Sequence, residues 1–174
     1  LHVRSRRQRQ MCIRDRDKIN DHYLQINSDY IGCIDDTCLA TGELLPVKDT
    51  PFDFNKRKRI GQDLEADHIQ LKNAFGYDHS FVLNGTENQL TLEEPVSGRR
   101  LIISTTAPVV QVYTGNFLKD GCIGKAGRVY ENREGVALET QLMPNAINTE
   151  ENPSTILRKG DKFESNTKYV FEIM

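Results

Sequence analysis

What this chain lacks narrows its chemistry before any motif is considered. Its four cysteines (Cys12, Cys33, Cys38, Cys122) form no C-x-x-C pair and no zinc spacing. Neither a disulfide framework nor a structural metal centre is therefore expected, and the thiols read as reduced, in a cytoplasmic protein. The four histidines (His2, His22, His68, His79) are scattered, so no metal site is expected from them either. No apolar run approaches the roughly 20 residues of a membrane helix, and the first residues lack the apolar middle of a secretory signal. No membrane partner and no export are expected.

Positive charge is scarce outside one short stretch. Residues 1–20 hold seven Lys/Arg against two Asp/Glu, whereas residues 21–174 hold 16 against 23. A basic arm for nucleic acid is one reading of that start. The acidic remainder offers no basic stripe or nucleic-acid motif to support it, so no nucleic-acid partner is expected. The stretch also lacks alternation, a usable apolar face and turn chemistry. Residues 1–18 therefore read as a foreign or disordered segment, and the domain proper as residues 19–174.

What remains reads as short strands separated by turns. They run over residues 22–27, 79–84, 88–94, 99–106, 108–114, 135–141 and 168–174. In the stretch at 88–94, Leu90 and Leu92 face one way and Thr91 and Glu93 the other. The segments "NGTEN" and "VSGR" carry the Asn and Gly that hairpins need for positive φ, and "KDGCIGKAG" is a Gly-rich loop. Asn84-Gly85-Thr86 matches a glycosylation sequon but reads as a hairpin turn. Only "LEADHIQLKN" (64–73) suggests a short helix, with Leu64, His68 and Leu71 on one side. Many strands with little helix predict an all-β fold, an antiparallel sandwich or barrel.

One strand contains an awkward residue. From Gly135 to Gln141, Val136, Leu138 and Thr140 share one face, and Ala137, Glu139 and Gln141 share the other. Glutamate packs poorly on a half-buried pleated surface. Either Glu139 faces solvent from a one-sided sheet, or a rigid strand aims its carboxylate into a pocket as a base. Periodicity does not choose. Asp78 in "GYDHS" reads equally as an ordinary turn residue, and Gln111 as a locally paired strand amide. Tyr113 shares the face of Gln111 and is either core or an aromatic platform. His79 points the opposite way to Asp78.

Four stretches taken together are more specific. "TGELLPVKDTPFDF" (41–54), "GYDHSFVL" (76–83), "QVYTGNFL" (111–118) and "GVALETQLMPNAIN" (135–148), in this order, closely resemble the aldose 1-epimerases, or galactose mutarotases. The resemblance runs from about Asp21 to the end and corresponds to the family's C-terminal half. It implies an antiparallel β-sandwich of the galactose mutarotase-like supersandwich type, truncated on its N-terminal side. It also implies interconversion of the α and β anomers of galactose and glucose with no metal or organic cofactor. By the same resemblance, Glu139 is the catalytic base, and Asp78 and Gln111 bind substrate.

The resemblance also implies a general-acid histidine in an "NHSYFNL"-like motif upstream of "DHYLQIN". Its position falls within "SRRQRQMCIRDR", where nothing matches; His2 lies in unrelated sequence and His22 matches the later "DH". A non-catalytic carbohydrate-binding module of the same fold is therefore the alternative. An epimerase of phosphorylated hexoses would need an arginine cluster at the cleft, and Arg99 and Arg100 lie in a hairpin. A truncated sandwich is also expected to expose sheet edges and apolar inner faces. Limited proteolysis should trim residues 1–18 and leave the unfolding temperature of the remainder unchanged; destabilisation on trimming would move the domain boundary upstream.

Overall fold

Period-two alternation sorts the strands into two layers with a shared interior. The computed structural model describes residues 18–118, 123, 127, 129–149 and 155–174. The segment read as foreign therefore lies almost wholly outside the described residues, as does most of "KDGCIGKAG". Among the described residues the strands in chain order are β1 (Tyr23–Ile26), β2 (Ser28–Ile34), β3 (Ala40–Pro46), β4 (Lys58–Arg59), β5 (Asp78–Leu83), β6 (Leu90–Glu94), β7 (Arg99–Thr105), β8 (Val109–Tyr113), β9 (Ala137–Gln141) and β10 (Thr167–Ile173), with one α-helix, α1 (Ile69–Ala74). They form two antiparallel five-stranded sheets, ordered β10-β7-β6-β1-β4 and β3-β2-β5-β8-β9. The all-β expectation holds. No helix among the described residues is long and apolar enough to cross a membrane.

Registers show how alternation builds the interior. In the first sheet, Leu24, Leu92, Leu101 and Phe171 form one cross-strand row, and Ile26, Leu90, Ile103 and Tyr169 form the next. In the second sheet, the inward rows are Ile31-Phe81-Val110-Thr140 and His79-Val112-Leu138. Between the layers sits the "TPFDF" segment. Phe52 and Phe54 are buried there and meet Tyr77 edge-on at 5.5 and 5.3 Å. Such geometry sets the positive ring edge against the negative face. The Tyr77 hydroxyl donates to the Pro51 carbonyl at 2.9 Å, which satisfies the only polar atom its ring carries inward.

Three sequence expectations need correction. β2, β3 and β4 were not expected. β2 breaks alternation with register shifts at Ser28/Tyr30 and Gly32/Ile34, and bulges of this kind erase the period-two signal. β3 is an edge strand holding Gly42 at φ 91° and ending on Pro46, residues that argue against a strand unless it lies at an edge. The helix begins only at Ile69, where the His68 ring accepts from the Gln70 amide, and it ends at Phe75 in the left-handed region. "NGTEN" is not a hairpin: it carries the chain from β5 in one sheet to β6 in the other. "VSGR" does close a hairpin, between β6 and β7.

His79 is fully buried on the inward face of β5, with its ring 4.7 Å from Phe52. Its Nδ1 accepts from the Asp78 amide at 3.1 Å, which puts the imidazole proton on Nε2. Burial, and then the nearby His68, push its pKa down to about 3. A depressed histidine pKa gives stability that is complete above the unfolded value of about 6.5 and is lost as pH falls towards the folded one. Relative to His79→Phe, the wild type should therefore lose about 2 kcal/mol of unfolding free energy between pH 7 and pH 5 in urea titrations. Parallel pH profiles would show that the imidazole protonates without disturbing the fold.

Candidate active site

The face of the second sheet that does not pack on the core carries the polar residues. Directly opposed residues in an antiparallel sheet share a face. Ser80, Gln111 and Glu139 form one row across β5, β8 and β9. Asp78, Tyr113 and Ala137 form the adjacent row. Asp78, Gln111 and Glu139, separated widely in sequence, thus stand on one surface of three neighbouring strands. His79 lies behind them.

Hydrogen bonds link part of this surface. Gln111 Nε2 donates to Asp78 Oδ1 at 2.7 Å, and Ser80 Oγ donates to Gln111 Oε1. The chain Ser80-Gln111-Asp78 fixes which way the amide points: oxygen towards Ser80, nitrogen towards the carboxylate. Ser80 is buried and Gln111 half-buried, so a partly desolvated network holds the Asp78 carboxylate in one place. Glu139 is also half-buried, one strand beyond Gln111.

A cavity of about 70 Å³ opens on this face against Asp78, Ser80 and Gln111. Gly32, Cys38 and Met143 also line it. A side chain at Gly32 would meet the Met143 sulfur at 3.1 Å, so glycine lets the loop after β9 approach the sheet. That loop lies over the outer face, with Met143 and Ala146 packed on Val109 and Val82. Asn145, at φ 59°, donates from Nδ2 to the Ala40 carbonyl at 3.0 Å. Tyr113 is half-buried; burial raises its pKa, and its hydroxyl accepts from the Phe117 amide at 2.9 Å. Its ring therefore borders the polar rows and is no part of the central core.

Several titratable groups are held away from this surface. His22 is buried before β1, and burial lowers its pKa more than Glu94 and Asp21 raise it. His68 caps α1. Arg99 and Arg100 belong to the other sheet, where Arg100 pairs with Glu93 at 2.9 Å. No group of three or more His, Cys, Asp or Glu side chains is poised to hold a metal among the described residues. Ser80 was missed by sequence reasoning, although its place two residues after Asp78 put it on the same face. Met143 left no such signal, because only tertiary packing lays its loop over the sheet.

Comparison with known proteins identifies the family. Residues 12–170 match the sequence profile of aldose 1-epimerase. The chain belongs to that family. The match begins inside the basic segment, ahead of the boundary at residue 19. A galactose mutarotase of Homo sapiens is 38% identical over 158 residues, covering 89% of this chain and 45% of that protein. An aldose 1-epimerase of Haemophilus influenzae is 33% identical over 159 residues, covering 88% and 46%. An aldose epimerase homologue from C. elegans superimposes with a TM-score of 0.78 at 28% identity, covering 91% of this chain and 47% of that one. The chain spans about half the length of the curated relatives it matches.

The linked amide makes a specific energetic statement. Removing Ser80 Oγ or the Gln111 side chain leaves a partly buried partner unsatisfied, at about 1–2 kcal/mol each. Urea unfolding of Ser80→Ala, Gln111→Ala and the double variant should give a coupling of about 0.5–1.5 kcal/mol. Strict additivity would show that the two side chains act separately.

Proposed function

We propose that this chain carries the base side of a hexose 1-epimerase site, with Glu139 as the base and Asp78 and Gln111 as sugar-binding residues. The observation that supports it most strongly is the common outward face of β5, β8 and β9, on which Glu139 stands opposite Gln111, and Gln111 and Asp78 border a cavity. A hexose such as galactose or glucose offers hydroxyls that a carboxylate and an amide can hydrogen-bond.

The reaction requires two proton movements. Glu139 takes the proton of the C1 hydroxyl, the C1–O5 bond breaks, and O5 gains a proton from a general acid. Rotation about C1–C2 turns the other face of the carbonyl towards O5, and the reverse transfers close the ring as the opposite anomer. Each assisted proton transfer is worth about 10²–10⁴ in rate. A strand suits the base better than a loop because its backbone is fixed on both sides by pairing, and β9 pairs with β8 through Glu139 itself.

A second reading has an observation of its own. His22 and His79 are buried and His68 caps a helix, so none of the three histidines among the described residues stands on the polar face. A non-catalytic carbohydrate-binding module would keep Asp78, Gln111 and Glu139 without an acid. Polarimetry separates the two. The 174-residue chain should add little to the spontaneous mutarotation of α-D-glucose or α-D-galactose. A polypeptide extended to the relatives' length should be active, and Glu139→Gln in it should cost about 10²–10⁴ in rate, because an amide has no basic oxygen to accept the proton. An extended protein indifferent to Glu139→Gln, yet binding galactose less tightly as Asp78→Asn, would favour the binding module.

A further inference from the structure

Building on Asp78 as a sugar-binding residue, we propose that Arg133 is a positioning residue for it. With Thr114 and Asn116, Arg133 ties down the turn from which Asp78 enters β5, and so sets how tightly the site holds a sugar. The two carboxylates differ in what their strands give them. Glu139 makes the third of the five pairs between β8 and β9, so backbone pairs flank it on both sides. Asp78 is the first residue of β5 and makes, with Tyr113, the terminal pair of that strand with β8. A strand end frays unless groups outside the ladder hold it.

Buried polar groups hold the residue before Asp78. The Tyr77 amide donates to Thr114 Oγ at 3.1 Å, and the Thr114 amide donates to the Tyr77 carbonyl at 3.0 Å. Asn116 Nδ2 donates to that same carbonyl at 3.1 Å and to the Ala74 carbonyl, at the end of α1, at 2.7 Å. The Asn116 oxygen is thereby turned to the Thr114 hydroxyl, 2.7 Å away, and to Arg133 Nη1. Arg133 Nη2 donates to the Phe75 carbonyl. One planar guanidinium thus joins the side chain that holds Tyr77 to the backbone of the turn between α1 and β5. The Ala74 and Phe75 carbonyls are among those that a helix end leaves without helical partners. Tyr77, Thr114 and Asn116 are buried, so a bond lost here leaves a polar atom that water does not reach.

Two features of the backbone make this contact. Arg133 lies at φ 73°, in the left-handed region that few residues besides glycine and asparagine enter. Its amide donates to the Gly115 carbonyl at 2.9 Å, and its carbonyl accepts from the Ile19 amide at 2.8 Å, which keep it there. Glycine would serve such a turn at lower cost; what the position retains is the arginine side chain. Gly76 is the counterpart. A side chain there would meet Arg133 Nη1 at 2.6 Å and Asn116 Oδ1 at 2.7 Å, so glycine lets the turn close on the guanidinium.

Mutarotation kinetics of a polypeptide extended to the relatives' length test this through the split between KM and kcat. Arg133→Ala should raise the KM for galactose about tenfold and change kcat less than about threefold, because Asp78 is displaced and Glu139 is not. Asp78→Asn should raise KM by itself. Adding Arg133→Ala to it should raise KM no further, since the side chain through which Arg133 acts is already lost. If Arg133→Ala does not fold, Arg133→Lys replaces it: the ammonium keeps the charge but cannot bridge Asn116 and the Phe75 carbonyl, and KM should rise in the same way. Effects of Arg133→Ala and Asp78→Asn on KM that multiply, or a loss confined to kcat and unfolding temperature, would make Arg133 a structural support and overturn the proposal. An enzyme that responds to Glu139→Gln and Asp78→Asn but keeps its KM in Arg133→Ala overturns it and spares the site. An enzyme indifferent to Asp78→Asn overturns both.

Discussion

The pleat of β5, β8 and β9 is the constraint on which both halves of this molecule's chemistry depend. Successive side chains on a strand leave by opposite faces, so every residue given to the core has neighbours given to the outside. His79 and Phe81 enter the interior; Asp78 and Ser80 leave it. The same division runs through Val110, Gln111 and Val112, and through Leu138, Glu139 and Thr140. A one-residue slip of β5 would turn Asp78 towards the interior that His79 shares with Phe52 and turn the imidazole towards the cavity. The fold cannot change register without losing both its core and its polar surface, and each therefore guards the other.

Buried polar groups follow the same economy of partners. His79 is accommodated neutral among aromatic rings, with a backbone amide as its donor. Glu93 is the opposite case. It sits on the outer side of the first sheet, and burial would raise its pKa, but hydrogen bonds from Arg57 and Arg100 outweigh that and hold it below the usual carboxylate range. Arg57 also lies over the Tyr23 ring, 3.6 Å from its centre. A charge is kept where two cations meet it, and a titratable ring is kept uncharged where none does.

The two ends of the sandwich differ in finish. At the β3 side, Gly42 and Pro46 make a poor template for further pairing. At the β10 side, a regular seven-residue strand presents aromatic side chains and, among the described residues, pairs only with β7.

The sequence by itself determined the class of fold and the sidedness of its regular strands. Alternation in "NQLTLEE", "PVVQVYT" and "GVALETQ" was clean, and the structure keeps Leu90 with Leu92 and Glu139 with Gln141 on the faces that alternation assigns them. The four long motifs carried the family, and through it the three residues of the polar face. Tertiary structure alone decided the rest. Bulged β2 and edge strand β3 have no clean period, because their shape answers to neighbours that lie elsewhere in the chain. Whether "NGTEN" closes a hairpin or crosses between layers depends on which sheet has room for β6, a question no local turn preference addresses. The bond between Gln111 and Asp78, and the loop that lays Met143 over Gly32, join residues 33 or more positions apart. Local sequence fixes which way a side chain leaves its own strand; only the pairing of distant strands fixes what it meets there.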